Sequence, residues 1–336
     1  MKYVLISPAR NEATFIQKTL DSMVVQTVLP ERWVIVDDGS TDGTAEIVEP
    51  YAKRYPWIEL LRRPQHQNHN FAGKVHAFNA GLKRVQSIDF DVIGNLDADL
   101  SFDPDYLEYL MQKFEEDPKL GVAGTPFIEN GYDSAKDSFE GQNHVAGGCQ
   151  LFRRKCYSDI GGYVANRAGG IDWIAVTTAR MMGWRTRSFP EKRFHHYRHL
   201  GTAERNRLKA TFSYGEKDYY LGNSPAWQLF RVGYRMAKPP YVIEGAALMG
   251  GFCWAALCRT KRPISEELMR FHRGEQMQKL KAVFTSLLRF KNPDNFRLAT
   301  NSSAAKAGNG RSQGMAIGNP IDAPPAKPAE ETVRVN

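Results

Sequence analysis

The sequence predicts an α/β fold in which a mainly parallel sheet is flanked by helices, and three observations support this prediction. Short apolar strands alternate with helical periodicity from residue 3 to about residue 115. The strand from residue 33 to 36 is apolar throughout, as is expected of a strand covered on both faces. Polar loops follow three of the strands, and ligands of such sheets bind beyond the carboxyl ends of the strands. We therefore expect one ligand site at that edge of the sheet.

Each element is predicted from its own pattern of apolar residues. The predicted strands are residues 3–7, 33–36, 58–61, 92–96, 121–127, 145–152 and 186–189. Helices are predicted from apolar residues spaced three and four apart, and they begin near Phe15, Ala45, Gly73, Pro104 and Asp172. The helix at Pro104 has an acidic residue before a proline, which is a common helix start.

Composition limits the kinds of partner and compartment. The chain has 336 residues and a formal net charge of +8, which indicates an anionic partner such as phosphates, nucleic acid or an acidic membrane surface. Four cysteines (Cys149, Cys156, Cys253 and Cys258) show no metal-ligand spacing and no disulfide pattern, which favours a reducing compartment. No signal peptide is recognisable before the first strand, and a cytoplasmic location is expected.

Three regions are predicted along the chain. Residues 1–205 form the α/β domain, residues 206–298 a helical region, and residues 299–336 a disordered tail poor in large apolar residues. Within the second region, residues 241–258 are apolar but short for a membrane span and have basic residues on both sides. Residues 265–291 form a basic amphipathic helix. We expect both to lie at the inner face of an anionic membrane, or alternatively to pack on the α/β domain or in a dimer.

Two carboxylates, Asp97 and Asp99, directly follow the predicted strand 92–96. In an extended segment residues i and i+2 point the same way, so the two carboxylates would repel unless a cation lay between them. A divalent ion that also takes phosphate oxygens is the natural occupant. The alternative is that such a pair arises by chance, with Asp99 or Asp103 capping the next helix.

Four segments together resemble, in order and spacing, the signature of family 2 glycosyltransferases. They are residues 7–12 (SPARNE), residues 36–44 (VDDGSTDGT), residues 73–81 with Gly73-Lys74 and Asn79-Ala80-Gly81, and residues 96–99 (LDAD). The resemblance covers roughly residues 3–205 and depends on the whole set rather than on one motif. It implies the GT-A fold, a nucleotide-activated sugar donor and, usually, inversion at the anomeric carbon.

The resemblance also implies roles for single residues. The donor would be bound by Pro8, Arg10, Glu12, Asp37, Asp38, Lys74 and Asp97, and Mg²⁺ or Mn²⁺ by Asp97, Asp99 and His195. Lys74 would face the diphosphate. Asx turns for Asp37 and Asp38 and a solvated surface lysine for Lys74 are the structural alternatives. A packed or solvated histidine is the alternative for His195, and no role is predicted for His66 or His69.

Asp172 is the predicted catalytic base by the same resemblance. In the family the base is the aspartate of a Glu-Asp pair that follows two glycines at a helix start, and Gly169-Gly170-Ile171-Asp172 is similar. This chain differs at Ile171, where the acidic partner of the base is missing. The alternative role for Asp172 is an ordinary helix N-cap.

The sequence therefore predicts a metal-assisted, inverting transfer of a sugar from a nucleoside-diphosphate sugar to a hydroxyl acceptor of a glycan or lipid-linked glycan. A second hypothesis is transfer to a polyprenyl phosphate, whose ionised acceptor would not need a base. A third is a basic nucleic-acid binding module, which net charge alone supports because no aromatic-basic stacking motif is present; the predicted partners therefore exclude nucleic acid.

Overall fold

The computed structural model describes residues 1–65, 71–135, 141–166, 169–198, 207–238 and 240–288. The predicted tail 299–336, the end of the helical region from residue 289, and the histidines His66 and His69 lie outside these ranges. The boundaries drawn at residues 205 and 298 stay predictions.

Eleven strands and ten helices are found in the described ranges. The strands are β1 Tyr3–Ala9, β2 Arg32–Asp37, β3 Ile58–Arg62, β4 Val92–Leu96, β5 Leu100–Phe102, β6 Leu120–Gly124, β7 Phe127–Glu129, β8 Tyr132–Asp133, β9 Cys149–Arg153, β10 Arg185–Ser188 and β11 Phe194–His196. The helices are α1 Ile16–Val24, α2 Thr44–Arg54, α3 Phe71–Val85, α4 Tyr106–Glu116, α5 Arg154–Asp159, α6 Ile171–Met181, α7 Arg207–Tyr220, α8 Pro225–Met236, α9 Ile243–Leu257 and α10 Glu266–Leu288.

The main sheet has seven strands in the order β10-β6-β9-β4-β1-β2-β3. The predicted parallel pairing is confirmed for β4, β1, β2 and β3, where Leu5 lies between Trp33 and Gly94. Strand β9 is antiparallel to both of its neighbours. A second sheet in the order β5-β11-β7-β8 lies beyond the carboxyl end of β4.

Both faces of the main sheet are buried. Tyr3 and Leu5 of β1 belong to one apolar cluster, whereas Val4 and Ile6 belong to another. Because alternate residues of a strand point to opposite faces, these two clusters are the cores under the two helical layers. This explains why the strands have no polar alternation.

Two predicted strands differ from the structure. The segment 121–127 forms two strands, β6 and β7, because the chain leaves the main sheet at Thr125 and Pro126 and proline has no N–H for a ladder. The segment 145–152 becomes a strand only from Cys149. Before it, the carbonyl of Gly148 accepts a hydrogen bond from the backbone N–H of Asp97 at 2.8 Å, which ties this loop to the end of β4.

The helices after residue 206 pack on the α/β domain and on one another. Helices α7 and α9 approach so closely that a Cβ on Gly251 would lie 1.9 Å from the carbonyl oxygen of Phe212. Helix α10 contacts α6 through Arg180, whose guanidinium donates to both carboxylate oxygens of Glu275 at 2.8 and 2.9 Å. The packing alternative is therefore observed for the inward faces of both C-terminal segments. Over the described part of the chain, no helix is both long and apolar enough to cross a membrane.

Candidate active site

The acid pair lies at the carboxyl end of β4, in the middle of the main sheet. The chain turns at Ala98 and Asp99 instead of running on in extended form, so the predicted alternation does not position the two carboxylates. They are nevertheless neighbours. Burial, followed by the negative charge of Asp97, raises the pKa of Asp99 above its usual value. Two carboxylates are thus crowded at a place where water is scarce.

Lys74 and Asn95 hold Asp97 from two sides. The Lys74 ammonium donates to Oδ1 of Asp97 at 2.5 Å, and the Asn95 amide donates to the same oxygen at 3.1 Å. Burial lowers the pKa of Lys74, but the carboxylates Asp97, Asp172 and Asp99 outweigh this effect, and the pKa is raised overall. Lys74, at the start of α3, is therefore a fixed positive charge of the site and not a solvated surface lysine.

Glu12 adds a third carboxylate next to Asp97 and Asp99, and Arg198 adds a positive charge between Glu12 and Asp99. Arg198 donates to Oε2 of Glu12 at 2.6 Å, and its Nε lies 3.8 Å from Oδ2 of Asp99. Burial and the charges of Asp99 and Asp97 raise the pKa of Glu12 to about 8, despite the opposing effect of Arg198. Glu12, predicted to bind the donor, thus faces the acid pair. Arg198 was not predicted because nothing in its local sequence distinguishes it.

The structure places the histidine next to His195, and not the predicted metal ligand His195 itself, beside the acid pair. His195 is exposed, whereas Nε2 of His196 lies 3.5 Å from Oδ2 of Asp99 and its Nδ1 lies 2.9 Å from Glu129. Phe194 and His196 share one face of β11 because residues two apart in a strand point the same way. In the sequence, the apolar Phe194 indicates which face of this strand is buried, and His196 lies on that face. In the structure Phe194 is indeed buried.

The loops after β1 and β2 are joined to each other. Asn11 has a left-handed φ of 56° and accepts a hydrogen bond from the N–H of Thr41 at 2.9 Å. The carboxylate of Asp37 accepts from the N–H of Ser40, three residues further on, at 3.0 Å, a local loop-capping contact similar to the Asx turn given above as its alternative role. Asp37 therefore supports the loop that would contact a donor.

Asp38 is buried beside the start of α3. Its carboxylate accepts a hydrogen bond from Arg63, and a Cβ on Gly73 would lie 3.6 Å from its Oδ2. Arg63 directly follows β3 and was not predicted as part of the site. Pro8 and Arg10 lie at the carboxyl end of β1, where Pro8 is paired with Val36. The predicted donor residues thus gather at one edge of the sheet.

Asp172 lies in the first turn of α6, where its side chain meets the loop before β9. The N-cap of α6 is Gly170, in a left-handed conformation, so Asp172 is not the N-cap. A Cβ on Gly147 would lie 2.9 Å from Cβ of Asp172, and the Gly147 carbonyl accepts from the Asn95 amide at 2.7 Å. Glycine at position 147 therefore lets α6 approach the end of β4 closely.

Positive charges surround the Asp172 carboxylate. Burial raises its pKa, but His144, Lys217, the N–H of Trp173 and Lys74 together outweigh burial and lower the pKa below its usual value. Lys217 comes from α7, and its Cε lies 3.4 Å from the position of a Cβ on Gly170. The carboxylate is thus ionised and able to accept a proton. His144 and Lys217 were not predicted, because they come from a loop and from a helix outside the predicted domain.

The donor set of the site suits a hard divalent cation. Mg²⁺ in nucleotide sites is held by one or two carboxylates together with substrate phosphates and waters. Asp99 and Asp97, with His196 beside Asp99, provide such a set. The raised pKa values of Asp99 and Glu12 show that burial and crowding disfavour their ionised forms, and a bound cation would relieve this. Among the residues whose positions are described, no group of three or more histidine, cysteine, aspartate or glutamate side chains is arranged to hold a metal ion by itself. The phosphates of a bound donor and water would therefore have to supply further ligands.

The chain resembles known proteins in both sequence and fold. Residues 4–161 match the model of the family described as Glycosyl transferase family 2. The poly-beta-1,6-N-acetyl-D-glucosamine synthase of Staphylococcus epidermidis is 29% identical over 174 residues, which cover 45% of this chain and 39% of that protein. The chain therefore matches less than half the length of this curated relative.

Two solved structures resemble the fold of this chain. The mannosyltransferase PcManGT from Pyrobaculum calidifontis, in complex with GDP-Man and Mn²⁺, has a TM-score of 0.50 and 18% identity over 91% of this chain and 88% of its own. Residues 1–349 of S. aureus TarS, in complex with UDP-GlcNAc, have a TM-score of 0.51 and 16% identity over 90% of this chain and 92% of their own. At these identities the likeness is one of fold, and the fold is GT-A.

Proposed function

We propose that this chain transfers a sugar from a nucleoside-diphosphate sugar to a hydroxyl acceptor on a glycan or lipid-linked glycan, since residues 4–161 match the model of glycosyltransferase family 2. The observation that carries this proposal is the meeting of an acid pair, Asp97 and Asp99, with Lys74 and Asp172 at the carboxyl edge of a parallel sheet. This edge is where ligands of α/β sheets bind. We further propose that the enzyme works at the inner face of the cytoplasmic membrane.

The donor would lie across the ends of β1, β2 and β4. Asp38, held by Arg63, and the loop joined by Asn11 would contact the nucleoside, and Lys74 would lie towards the diphosphate. Mg²⁺ or Mn²⁺, held by Asp99 and Asp97 with His196, would neutralise negative charge on the departing diphosphate. The names of the relatives, a poly-N-acetylglucosamine synthase and a TarS structure with UDP-GlcNAc, make UDP-GlcNAc the first donor to test.

Asp172 would act as the general base. The acceptor oxygen attacks the anomeric carbon while its proton passes to the Asp172 carboxylate. The bond between that carbon and the diphosphate oxygen breaks, and its electron pair leaves with the nucleoside diphosphate. A single displacement of this kind inverts the anomeric centre. The role of Lys217, His144 and Lys74 is to keep the carboxylate ionised, since together they lower its pKa.

Transfer to a lipid phosphate is a second candidate, favoured by the same positive charges. Lys217, His144 and Lys74 surround the place where an acceptor would meet Asp172, and an ionised phosphate would be attracted there. Such an acceptor has no proton to lose at neutral pH. The two candidates therefore differ in whether Asp172 must act as a base.

A panel of nucleotide sugars tests the proposed function. UDP-GlcNAc, GDP-Man and related donors are incubated with the protein and Mn²⁺, and slow donor hydrolysis is measured, which needs no knowledge of the acceptor. We expect one donor to be hydrolysed and to raise the melting temperature through binding to the folded state. If no donor binds or is hydrolysed, with or without metal, the proposal is wrong.

A further inference from the structure

One face of helix α9 is apolar and open to solvent. The exposed fractions of Ile243, Trp254 and Leu257 are 53%, 55% and 78%. At 100° per residue these three positions lie within about 60° of one another around the helix axis. Tyr241 and Val242, just before the helix and next to Ile243 in the chain, are also 64% and 58% exposed. We call these five residues the α9 face.

The opposite side of α9 is buried against the rest of the protein. Gly251 and Gly215 bring α9 into backbone contact with α7, since a Cβ on Gly215 would lie 2.1 Å from the carbonyl oxygen of Leu248. Glu244, the only acidic residue of α9, is buried and paired with Arg207 and, at 3.5 Å, with Arg235. The α9 face is therefore held outward and carries no acidic side chain.

Basic residues border the α9 face at both ends. Lys238 precedes it, and Arg259, Lys261 and Arg262 follow it. Arg259 and Arg262 line an open cavity of about 320 Å³, together with Tyr219 and the carboxylate residue Glu266. The guanidinium of Arg262 is held over the Tyr219 ring at 4.4 Å. An apolar surface bordered by cations matches an interface between acyl chains and anionic headgroups.

The length of α9 indicates how it would meet a bilayer. Its 15 residues span about 22 Å, short of the hydrocarbon thickness of about 30 Å, so the helix would lie in the plane of the interface. A second copy of the chain is a poorer partner for the α9 face than a bilayer is. A two-fold contact between two α9 faces would set basic ends close to one another, whereas an anionic surface complements them.

We propose that the α9 face and its basic ends, Lys238, Arg259 and Lys261, dock this enzyme on an anionic lipid bilayer. The proposal deepens the proposed function, on which it rests, because it orients the active site towards a lipid-linked acceptor. Helix α7 lies directly behind α9, and its Lys217 faces the base Asp172. Packed helices are about 8–10 Å apart, so the base lies only about two helix layers from the bilayer surface.

Vesicle co-sedimentation of the full chain tests this proposal. Wild-type protein is mixed with phosphatidylcholine vesicles and with vesicles in which a third of the lipid is phosphatidylglycerol. We expect binding to the anionic vesicles to be stronger and to weaken with added salt. Leu257→Glu should lower partitioning roughly tenfold or more, because it buries a charge instead of an apolar group. Arg259→Glu with Lys261→Glu should remove the preference for anionic lipid.

Leu29→Glu is the matched control, since Leu29 is an exposed leucine, at 44%, away from α9. It should bind vesicles like the wild type. Equal vesicle binding by Leu257→Glu and wild type would overturn the proposal. It would also be overturned if sedimentation velocity showed that the wild type is a dimer and that Leu257→Glu is a monomer. Donor hydrolysis by the same variants is measured without lipid and should be unchanged. Vesicle binding does not require turnover, so the docking proposal can fail while the proposed function holds, and the reverse.

Discussion

The ammonium of Lys74 lies 2.5 Å from Oδ1 of Asp97, so helix α3 places a positive charge at the carboxyl end of strand β4. The same ammonium is close enough to Asp172 and Asp99 for both carboxylates to raise its pKa. One lysine therefore links the predicted donor residues with the predicted base.

Lys74→Met should lower turnover about 100-fold, because the charge that balances Asp97 and would face the diphosphate is lost. We also expect a lower melting temperature, since the half-buried carboxylate of Asp97 is left without its charged partner. Lys83→Met, an exposed lysine of the same helix, is the control and should leave both quantities near wild type. Donor hydrolysis and thermal unfolding measure the two effects. Undiminished hydrolysis by Lys74→Met would remove Lys74 from the site.

Asp99→Asn should abolish activity, and wild-type activity should require Mg²⁺ or Mn²⁺. Asp99 is buried and crowded by Asp97, which is the arrangement that a divalent cation stabilises. The control is Asp103→Asn, because Asp103 is exposed on the same segment. Mn²⁺ binding by calorimetry in the presence of a nucleoside diphosphate reports on the site independently of turnover. Full turnover in excess chelator would contradict the metal assignment.

Asp172→Asn should leave donor affinity unchanged, whereas turnover should fall by about 10²–10⁴-fold, which is the usual contribution of general acid–base catalysis to the rate. Donor binding is measured by calorimetry and turnover with a hydroxyl acceptor. The fold should be retained, because the N-cap of α6 is Gly170 and not Asp172. Near-normal turnover of this variant with a lipid-phosphate acceptor would instead favour the second candidate function.

Lys217→Met should shift the acidic limb of the turnover profile to higher pH. Lys217 is one of the cations that lower the pKa of Asp172, so its removal raises that pKa and protonates the base at a higher pH. Turnover would therefore fall most below neutral pH and recover as the pH rises. Lys209→Met on the same helix is the control. An unshifted acidic limb would show that Lys217 does not act through Asp172.

Arg180→Met should destabilise the protein by roughly 3 kcal/mol, because it leaves the carboxylate of Glu275 without its two charged hydrogen bonds. The paired change Arg180→Met with Glu275→Met should cost less than the sum of the single changes. Turnover should fall as well, since α10 supports α6 next to the base, where Trp173 packs on His272 at 4.5 Å between ring centres. Arg270→Met, exposed on α10, is the control for urea unfolding. Wild-type stability of Arg180→Met would contradict a structural role for the pair.

The strands β1 to β4 could be predicted because their signals are local. A run of apolar residues between polar turns predicts a buried strand whatever lies on either side of it, and β4 has the predicted bounds. The short strands β5, β8 and β11 were not predicted. Each has two or three residues, too few for a periodicity to be recognised, and each exists because a neighbouring strand satisfies its backbone.

The sequence by itself determined the order of the elements from β1 to β4, their parallel pairing and the group of polar residues at the carboxyl edge of these strands, because apolar periodicity and motif spacing are properties of short stretches of chain. Only the tertiary structure decided the partners of each carboxylate. It placed His196 instead of His195 beside Asp99, Arg63 on Asp38, and Lys217 near Asp172. These contacts join residues far apart in the chain, and they depend on how the helices and the second sheet pack against the main sheet, which no local pattern encodes.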